Sequence, residues 1–336
     1  MSGVVVLLGR DTLAGAVRLQ DCQAVADRIG GLDLRFVDSE LPEDEVIEAC
    51  QDAVAILPAG ARVLTPAVVA KMPNLRLIQT FSAGTEYLDD AAFADLGVAV
   101  SNNGGANAIA VAEHAIALMV AVYRKLDVQI DSAKAGTWMA GVTGDRFDFH
   151  TLVGKRVGIV GLGRIGSRVA RRLAGWECEV VYHDLPELDA EHVRATGATR
   201  VPLDELLETS DIVTLHVPLD ASTRHMISER EFALMKQTAI LINTCRGSVV
   251  DEAALIGAME QGEIFGAGID VVEVEPIEAD NPLPEMANVI LTPHLATRAV
   301  ESEHNAAENA LMNAGRVARG EAPLWVVRTV SPGRAG

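Results

Sequence analysis

Positive charge is scarce in this chain of 336 residues: 28 Lys and Arg stand against 47 Asp and Glu, a formal charge of −19. The acids are spread along the chain, so the surface repels nucleic acid and offers anionic substrates no general attraction; any anion site must be local. Cysteine is scarce too. Cys22, Cys50, Cys178 and Cys245 form no C-x-x-C pair, which argues against both a bound metal and a disulfide framework. No apolar run reaches the roughly 18 residues of a membrane span, and no basic segment precedes the first apolar run. No membrane partner is therefore expected, and the expected address is cytoplasmic. What remains is the composition of a soluble globular protein, 49% hydrophobic and 22% charged, long enough for two domains.

The chain is organised around Val157 to Asp184. The apolar run Val157 to Val160 ends in Gly161-Leu162-Gly163-Arg164-Ile165-Gly166, a helical stretch follows, and a second run, Val180-Val181-Tyr182, stops at Asp184. Gly161 allows the tight turn out of the strand, Gly163 lets the backbone approach a pyrophosphate, and Gly166 lets the helix pack closely on the sheet. The pyrophosphate would sit on the helix N-terminus, where free N–H groups favour negative charge. Asp184 is placed to bind the ribose hydroxyls. Neither neighbour, Leu185 or Pro186, could meet a 2′-phosphate, so the expected cofactor is NAD.

Short apolar runs alternate with helix-like stretches over the first 100 residues, at 4–8, 32–37, 53–57, 75–78 and 98–100. Such alternation predicts a parallel sheet with helices on both faces. It resumes after Asp184 at 211–218, 239–243, 266–270 and 288–292, which with the two strands of the glycine motif predicts a six-strand doubly wound sheet. The predicted fold is α/β, with two Rossmann-like doubly wound parallel-sheet domains and the active-site cleft between them. The turn cluster Asn102-Asn103-Gly104-Gly105-Ala106 is the candidate boundary. Ala108 to Leu126 reads as a helix apolar nearly all round, hence packed between domains or subunits. His114 within it reads as a satisfied, partly buried histidine. The turns Pro58 to Arg62 and Phe81 to Thr85 follow strands and read as loops, and Gly136 to Thr151 is irregular, carrying Trp138, Phe147 and Phe149. A last helix is expected from about Ala299 through Val317.

Three strand ends in the second sheet finish on reactive types: Asn243-Thr244-Cys245-Arg246-Gly247, Asp270 leading to Glu273-Val274-Glu275-Pro276, and Thr292-Pro293-His294. An arginine, a carboxylate and a histidine thus converge on the carboxyl edge, where a nicotinamide would project. Hydride transfer on a 2-hydroxy acid needs such a trio. Arginine holds a carboxylate in a planar fork, and histidine exchanges the hydroxyl proton, oriented by a neighbouring acid.

With these motifs the sequence resembles the D-isomer-specific 2-hydroxyacid dehydrogenases over almost its whole length. Ser82 to Asp89 is similar to that family's substrate loop, Gly161 to Gly166 to its cofactor turn, and Asn243 to Asp251 to its arginine motif; Asp270 to Pro276 and Thr292 to His294 are similar to its acid and histidine motifs. The resemblance implies an NAD-dependent enzyme that interconverts a 2-keto acid and a D-2-hydroxy acid. It implies Arg246 as substrate anchor beside the loop Ser82, Ala83 and Gly84, and His294 as general acid and base paired with Glu275. It also implies that Asp270 and backbone near Thr244 and Cys245 hold the nicotinamide carboxamide, while Val217, Pro218 and Thr223 border the adenosine side. The implied domains are 1–102 plus 297–336 for substrate and 103–296 for NAD, with helix 108–126 making a homodimer.

Formate dehydrogenases of the family carry glutamine in place of Glu275, and phosphite dehydrogenases a lysine in place of Ala83, which disfavours both. The alternative function is an NAD-sensing, corepressor-like binding protein of the same fold. Cys245 reads either as a thiol whose adduct would obstruct the site or as a shielded core residue. Arg298 reads either as a cation for a second anionic group of the substrate or as a surface arginine paired with Glu301 or Glu303. Glyoxylate, hydroxypyruvate and longer or aromatic 2-keto acids remain open as substrates.

Overall fold

The computed structural model describes residues 3–9, 19–30, 32–59, 63–138 and 148–328. Phe147 and residues 60–62 of the turn after the third strand lie outside the described residues. The chain forms two compact units, Met1–Asn107 with Arg298–Gly336, and Ala108–Thr297.

In the first unit five parallel strands, β1 (Gly3–Gly9), β2 (Leu32–Asp38), β3 (Ala53–Pro58), β4 (Leu77–Gln79) and β5 (Ala99–Ser101), lie in the order β2-β1-β3-β4-β5. Val5 to Leu8 are all fully buried. A strand covered on both faces has no need to alternate apolar with polar residues, which is why these strands read as continuous apolar runs. The helix Val300–Ala318 covers one face with Ala306, Ala307, Ala310, Leu311 and Ala314, small side chains that let it lie close to the sheet. Asn313 on that helix is buried. Its amide donates to Gln79 Oε1 at 2.6 Å and to the Leu324 carbonyl at 3.0 Å, and its own Oδ1 accepts the Leu324 N–H at 2.7 Å. A buried amide satisfied on both sides fixes helix, strand and C-terminal segment together.

In the second unit seven parallel strands occur: β6 (Arg156–Val160), β7 (Glu179–His183), β8 (Thr199–Arg200), β9 (Ile212–Leu215), β10 (Ile240–Asn243), β11 (Gly266–Ile269) and β12 (Val289–Leu291), in the order β12-β11-β10-β9-β6-β7-β8. The order reverses between β6 and β9, the switch point at which ligands bind doubly wound sheets. The six strands expected are present, and the seventh, β8, is an exposed two-residue edge strand. Ala108–Arg124 is a helix whose Ala112, Ala115, Met119 and Tyr123 pack on this sheet with Ile159, Ile240 and Ile242. It stops earlier than its composition suggests. Lys125 adopts a left-handed backbone, φ 48°, and a further helix, Leu126–Lys134, follows it.

Candidate active site

Each part of the glycine turn has its own steric reason. Gly161 has φ +91°, and a Cβ on it would lie 2.6 Å from the His216 carbonyl oxygen and 2.9 Å from the Val217 side chain. A Cβ on Gly166 would lie 2.0 Å from the Gly161 carbonyl oxygen, so the helix Gly166–Leu173 starts closer to the strand than any side chain allows. At Gly163 nothing lies within 4 Å of the Cβ position, which leaves that backbone open to a pyrophosphate. Ile165 stands at the helix entrance, and Arg164, exposed beside it, gives its carbonyl to Arg168 at 2.7 Å.

The peptide of Leu162 is held from both sides. Asp184 Oδ2 accepts its N–H at 2.8 Å, and His192 Nε2 lies 2.8 Å from its carbonyl oxygen. Asp184 therefore supports the turn besides standing at the end of β7, where a ribose hydroxyl would meet it. His192 escaped the sequence reading because nothing in the pattern of a short polar helix marks which side chain turns inward. Arg200 escaped it too. Pairing of β8 with β7 brings its guanidinium to the Asp184 carbonyl oxygen at 2.8 Å, a proximity invisible to a search of Asp184's sequence neighbours.

On the other side of the turn, Thr223 is buried. Its hydroxyl donates to the Pro218 carbonyl at 2.7 Å and accepts the Asp220 N–H at 2.8 Å, which closes the loop after Val217. His216 Nδ1 and Thr244 Oγ1 are buried without hydrogen-bond partners. Buried polar atoms seldom stay unpaired. Thr244, on the turn that follows β10, has the polarity a nicotinamide carboxamide would satisfy. Burial holds the His216 ring far below the usual histidine range, at about 3. Cys245 is buried, its Sγ lies 3.1 Å from Asn243 Oδ1, and burial pushes its thiol up to about 11.

Register places the reactive strand ends side by side. Asn243 on β10 pairs with Ile269 on β11, and Ile269 pairs with Leu291 on β12, so Arg246, Asp270 and Thr292 all leave the sheet along one line. The arginine turn and the acid loop touch: a Cβ on Gly247 would lie 1.9 Å from the Val272 carbonyl oxygen. Arg246 Nη1 donates to the Cys245 carbonyl at 2.6 Å, which braces the guanidinium. His294 Nδ1 lies 2.7 Å from Glu275 Oε2, and Glu275 Oε1 accepts the Val272 N–H at 3.3 Å. An ionised carboxylate only accepts, so Nδ1 carries the proton of this bond and Nε2 is the nitrogen left to exchange one.

Asp270 is 1% exposed and its carboxylate serves the histidine loop: Oδ1 accepts from Thr292 Oγ1 at 2.6 Å and Leu295 N at 3.0 Å, Oδ2 from Ala296 N at 2.9 Å. His114, expected to be satisfied and partly buried, bonds Thr292 at 3.0 Å. In the first unit Thr80 Oγ1 donates to the Ser82 carbonyl at 2.9 Å and Ser82 Oγ to the Gly84 carbonyl at 2.6 Å, which shapes the loop around Ala83. Arg298 pairs with Glu303 at 3.5 Å and is 45% exposed. Among the described residues, no group of three or more His, Cys, Asp or Glu could hold a metal, and no helix is long and apolar enough to cross a membrane.

A parallel sheet with a glycine turn at its switch point and an acid closing the next strand defines a dinucleotide-binding domain. Residues 116–296 match the NAD-binding domain of the D-isomer specific 2-hydroxyacid dehydrogenases, and the chain belongs to that family; it is an NAD-dependent oxidoreductase. It is 36% identical over 292 residues to a glyoxylate reductase of Korarchaeum cryptofilum, covering 87% of this chain and 88% of that one. A D-3-phosphoglycerate dehydrogenase of Archaeoglobus fulgidus is 36% identical over 278 residues, 83% of this chain but 52% of that one. Among solved structures, a glyoxylate reductase from Paecilomyes thermophila superposes with a TM-score of 0.83 at 30% identity, over 97% of this chain and 99% of that one.

Proposed function

We propose that the protein reduces a short 2-keto acid of the glyoxylate type to the corresponding 2-hydroxy acid, of D configuration where the product is chiral. The observation that carries this reading is the 2.7 Å contact between His294 Nδ1 and Glu275, on strand ends that register sets beside Arg246. Bound NADH supplies the hydride. Arg246 holds the substrate carboxylate in its fork and draws electron density from the adjacent carbonyl. His294 Nε2 delivers the proton to the carbonyl oxygen as the alcohol forms and takes it back in the reverse direction. Glu275 orients the ring through its bond to Nδ1. The loop Ser82-Ala83-Gly84 contributes to substrate binding, a role that rests on the family resemblance. So do the roles of Asp270, Thr244 and Cys245 toward the carboxamide and of Val217, Pro218 and Thr223 toward the adenosine.

The glyoxylate-type substrate draws on the names of the relatives, and preference for NAD over NADP on Asp184, whose carboxylate would repel a 2′-phosphate. A homodimer formed through Ala108–Arg124 and a cytoplasmic address belong to the same reading; the four cysteines are free thiols, as in a reducing compartment. The test is NADH oxidation with glyoxylate, hydroxypyruvate, pyruvate, phenylglyoxylate and oxaloacetate, repeated with NADPH. Turnover should be greatest with glyoxylate and the two three-carbon keto acids, and with NADH. NADH binding without turnover of any of them would favour the corepressor-like alternative.

A further inference from the structure

The candidate catalytic histidine stands in an unfavourable backbone conformation. His294 has φ 54°, a left-handed geometry that is sterically unfavourable for an L-residue other than glycine. Something must hold it there. The His294 N–H donates to the Asp270 main-chain oxygen at 2.8 Å, and the next two N–H groups, of Leu295 and Ala296, both point at the Asp270 carboxylate. Successive N–H groups around a left-handed residue form a concave anion site. Here the anion is a side chain of the neighbouring strand.

That carboxylate is itself steered. Thr292 Oγ1 donates to Asp270 Oδ1 at 2.6 Å, and a hydroxyl has one proton to give. The contact of 3.0 Å between Thr292 Oγ1 and His114 Nε2 must then run the other way, with His114 donating. Nε2 also lies 3.6 Å from Asp270 Oδ1. The result is a directed chain from His114, in the helix Ala108–Arg124, through Thr292 to Asp270 and on to the loop that carries His294. Hydrogen bonds in series polarise one another, and this chain ends on a carboxylate that is only 1% exposed.

We propose that His114 is a positioning residue for the reaction: through Thr292 it fixes the Asp270 carboxylate, which holds His294 in its left-handed conformation and so keeps the ring against Glu275. This rests on the reading of His294 as the proton donor. Among the described residues His114 hydrogen-bonds neither Glu275 nor His294, so its effect should fall first on turnover, and on NADH affinity only through the share Asp270 takes in holding the carboxamide.

The experiment compares His114→Phe, which keeps a ring but no donor, with His114→Gln, which keeps an N–H at similar reach. For each, kcat and KM with the best 2-keto acid, the NADH dissociation constant and the melting temperature are measured. The phenylalanine variant is expected to lose at least fivefold in kcat with a smaller change in the NADH dissociation constant, and the glutamine variant to recover to within twofold of wild type. Wild-type kcat in the phenylalanine variant, or equal losses in both variants at equal melting temperature, would overturn the inference. Should either variant not fold, Thr292→Val and Thr292→Ser give the same contrast: the serine retains the relay hydroxyl and should retain kcat, and a valine variant as active as the serine one overturns the proposal. His294→Ala is assayed alongside. If it keeps wild-type turnover, the proton-donor reading fails; if it is inactive while His114→Phe is fully active, only the positioning role fails.

Discussion

Two carboxylate–histidine pairs stand at the same edge of the second sheet, and they differ in almost every physical respect. Glu275 and His294 are 37% and 41% exposed and meet directly at 2.7 Å. Asp270 and His114 are 1% and 26% exposed, lie 3.6 Å apart and communicate through a threonine hydroxyl. An exposed pair can exchange protons with solvent and ligand, whereas a buried one whose oxygens already accept backbone N–H groups is a fixture. The residue types are the same kind; burial and prior commitments decide which pair can do chemistry and which can only hold geometry.

The comparison breaks most visibly at the exposed pair. His294→Ala should lower kcat by about 10²–10⁴-fold, the usual contribution of a positioned acid or base, with NADH affinity within a factor of two by fluorescence titration. Glu275→Gln keeps a contact but not its charge, and should cost roughly tenfold, the size of one charge-assisted hydrogen bond. Wild-type rates in both would mean that exposure is no guide to function at this edge.

Buried groups should show themselves through stability instead. His216 stays neutral in the folded protein down to about pH 3. An unfolded histidine takes up its proton near pH 6.5, so below that the unfolded chain binds more protons and the folded state loses stability as pH falls toward 3. Wild type should therefore lose melting temperature between pH 6.5 and 4 more steeply than His216→Leu. Parallel curves would place the His216 ring in contact with solvent. The smallest effect is expected at Cys245. With its thiol buried and raised to about 11, iodoacetamide at pH 8 should leave it unmodified by mass spectrometry and activity unchanged, while the part-exposed Cys178 is the site to label first.

Much of this was readable in the order of residues. Covered strands advertise themselves as apolar runs, the glycine turn carries its steric needs in its spacing, and the reactive strand ends follow once parallel order is assumed. What escaped has physical causes. β8 is two exposed residues, Thr199 and Arg200, with no apolar pattern to read, yet it carries the guanidinium that braces Asp184's loop. The helix break at Lys125 rests on a left-handed residue of a type that rarely adopts that conformation, so the run Ala108 to Leu126 looked continuous. His114 and Thr292 are 178 residues apart, and no periodicity connects them. His114 was therefore legible as a satisfied histidine, but its partner was not.

The left-handed backbone at His294 also bears on how such a protein can change over generations. Asparagine and glycine adopt that conformation more readily than histidine does. If His294 is the proton donor proposed above, the fold and the chemistry prefer different residues at this position, and turnover is what the imidazole serves. A lineage released from selection for turnover could exchange it and gain thermal stability, with the cofactor turn intact. His294→Asn should accordingly melt no lower than wild type while failing as a catalyst, a small-scale version of how an enzyme of this fold could become a protein that only senses its cofactor.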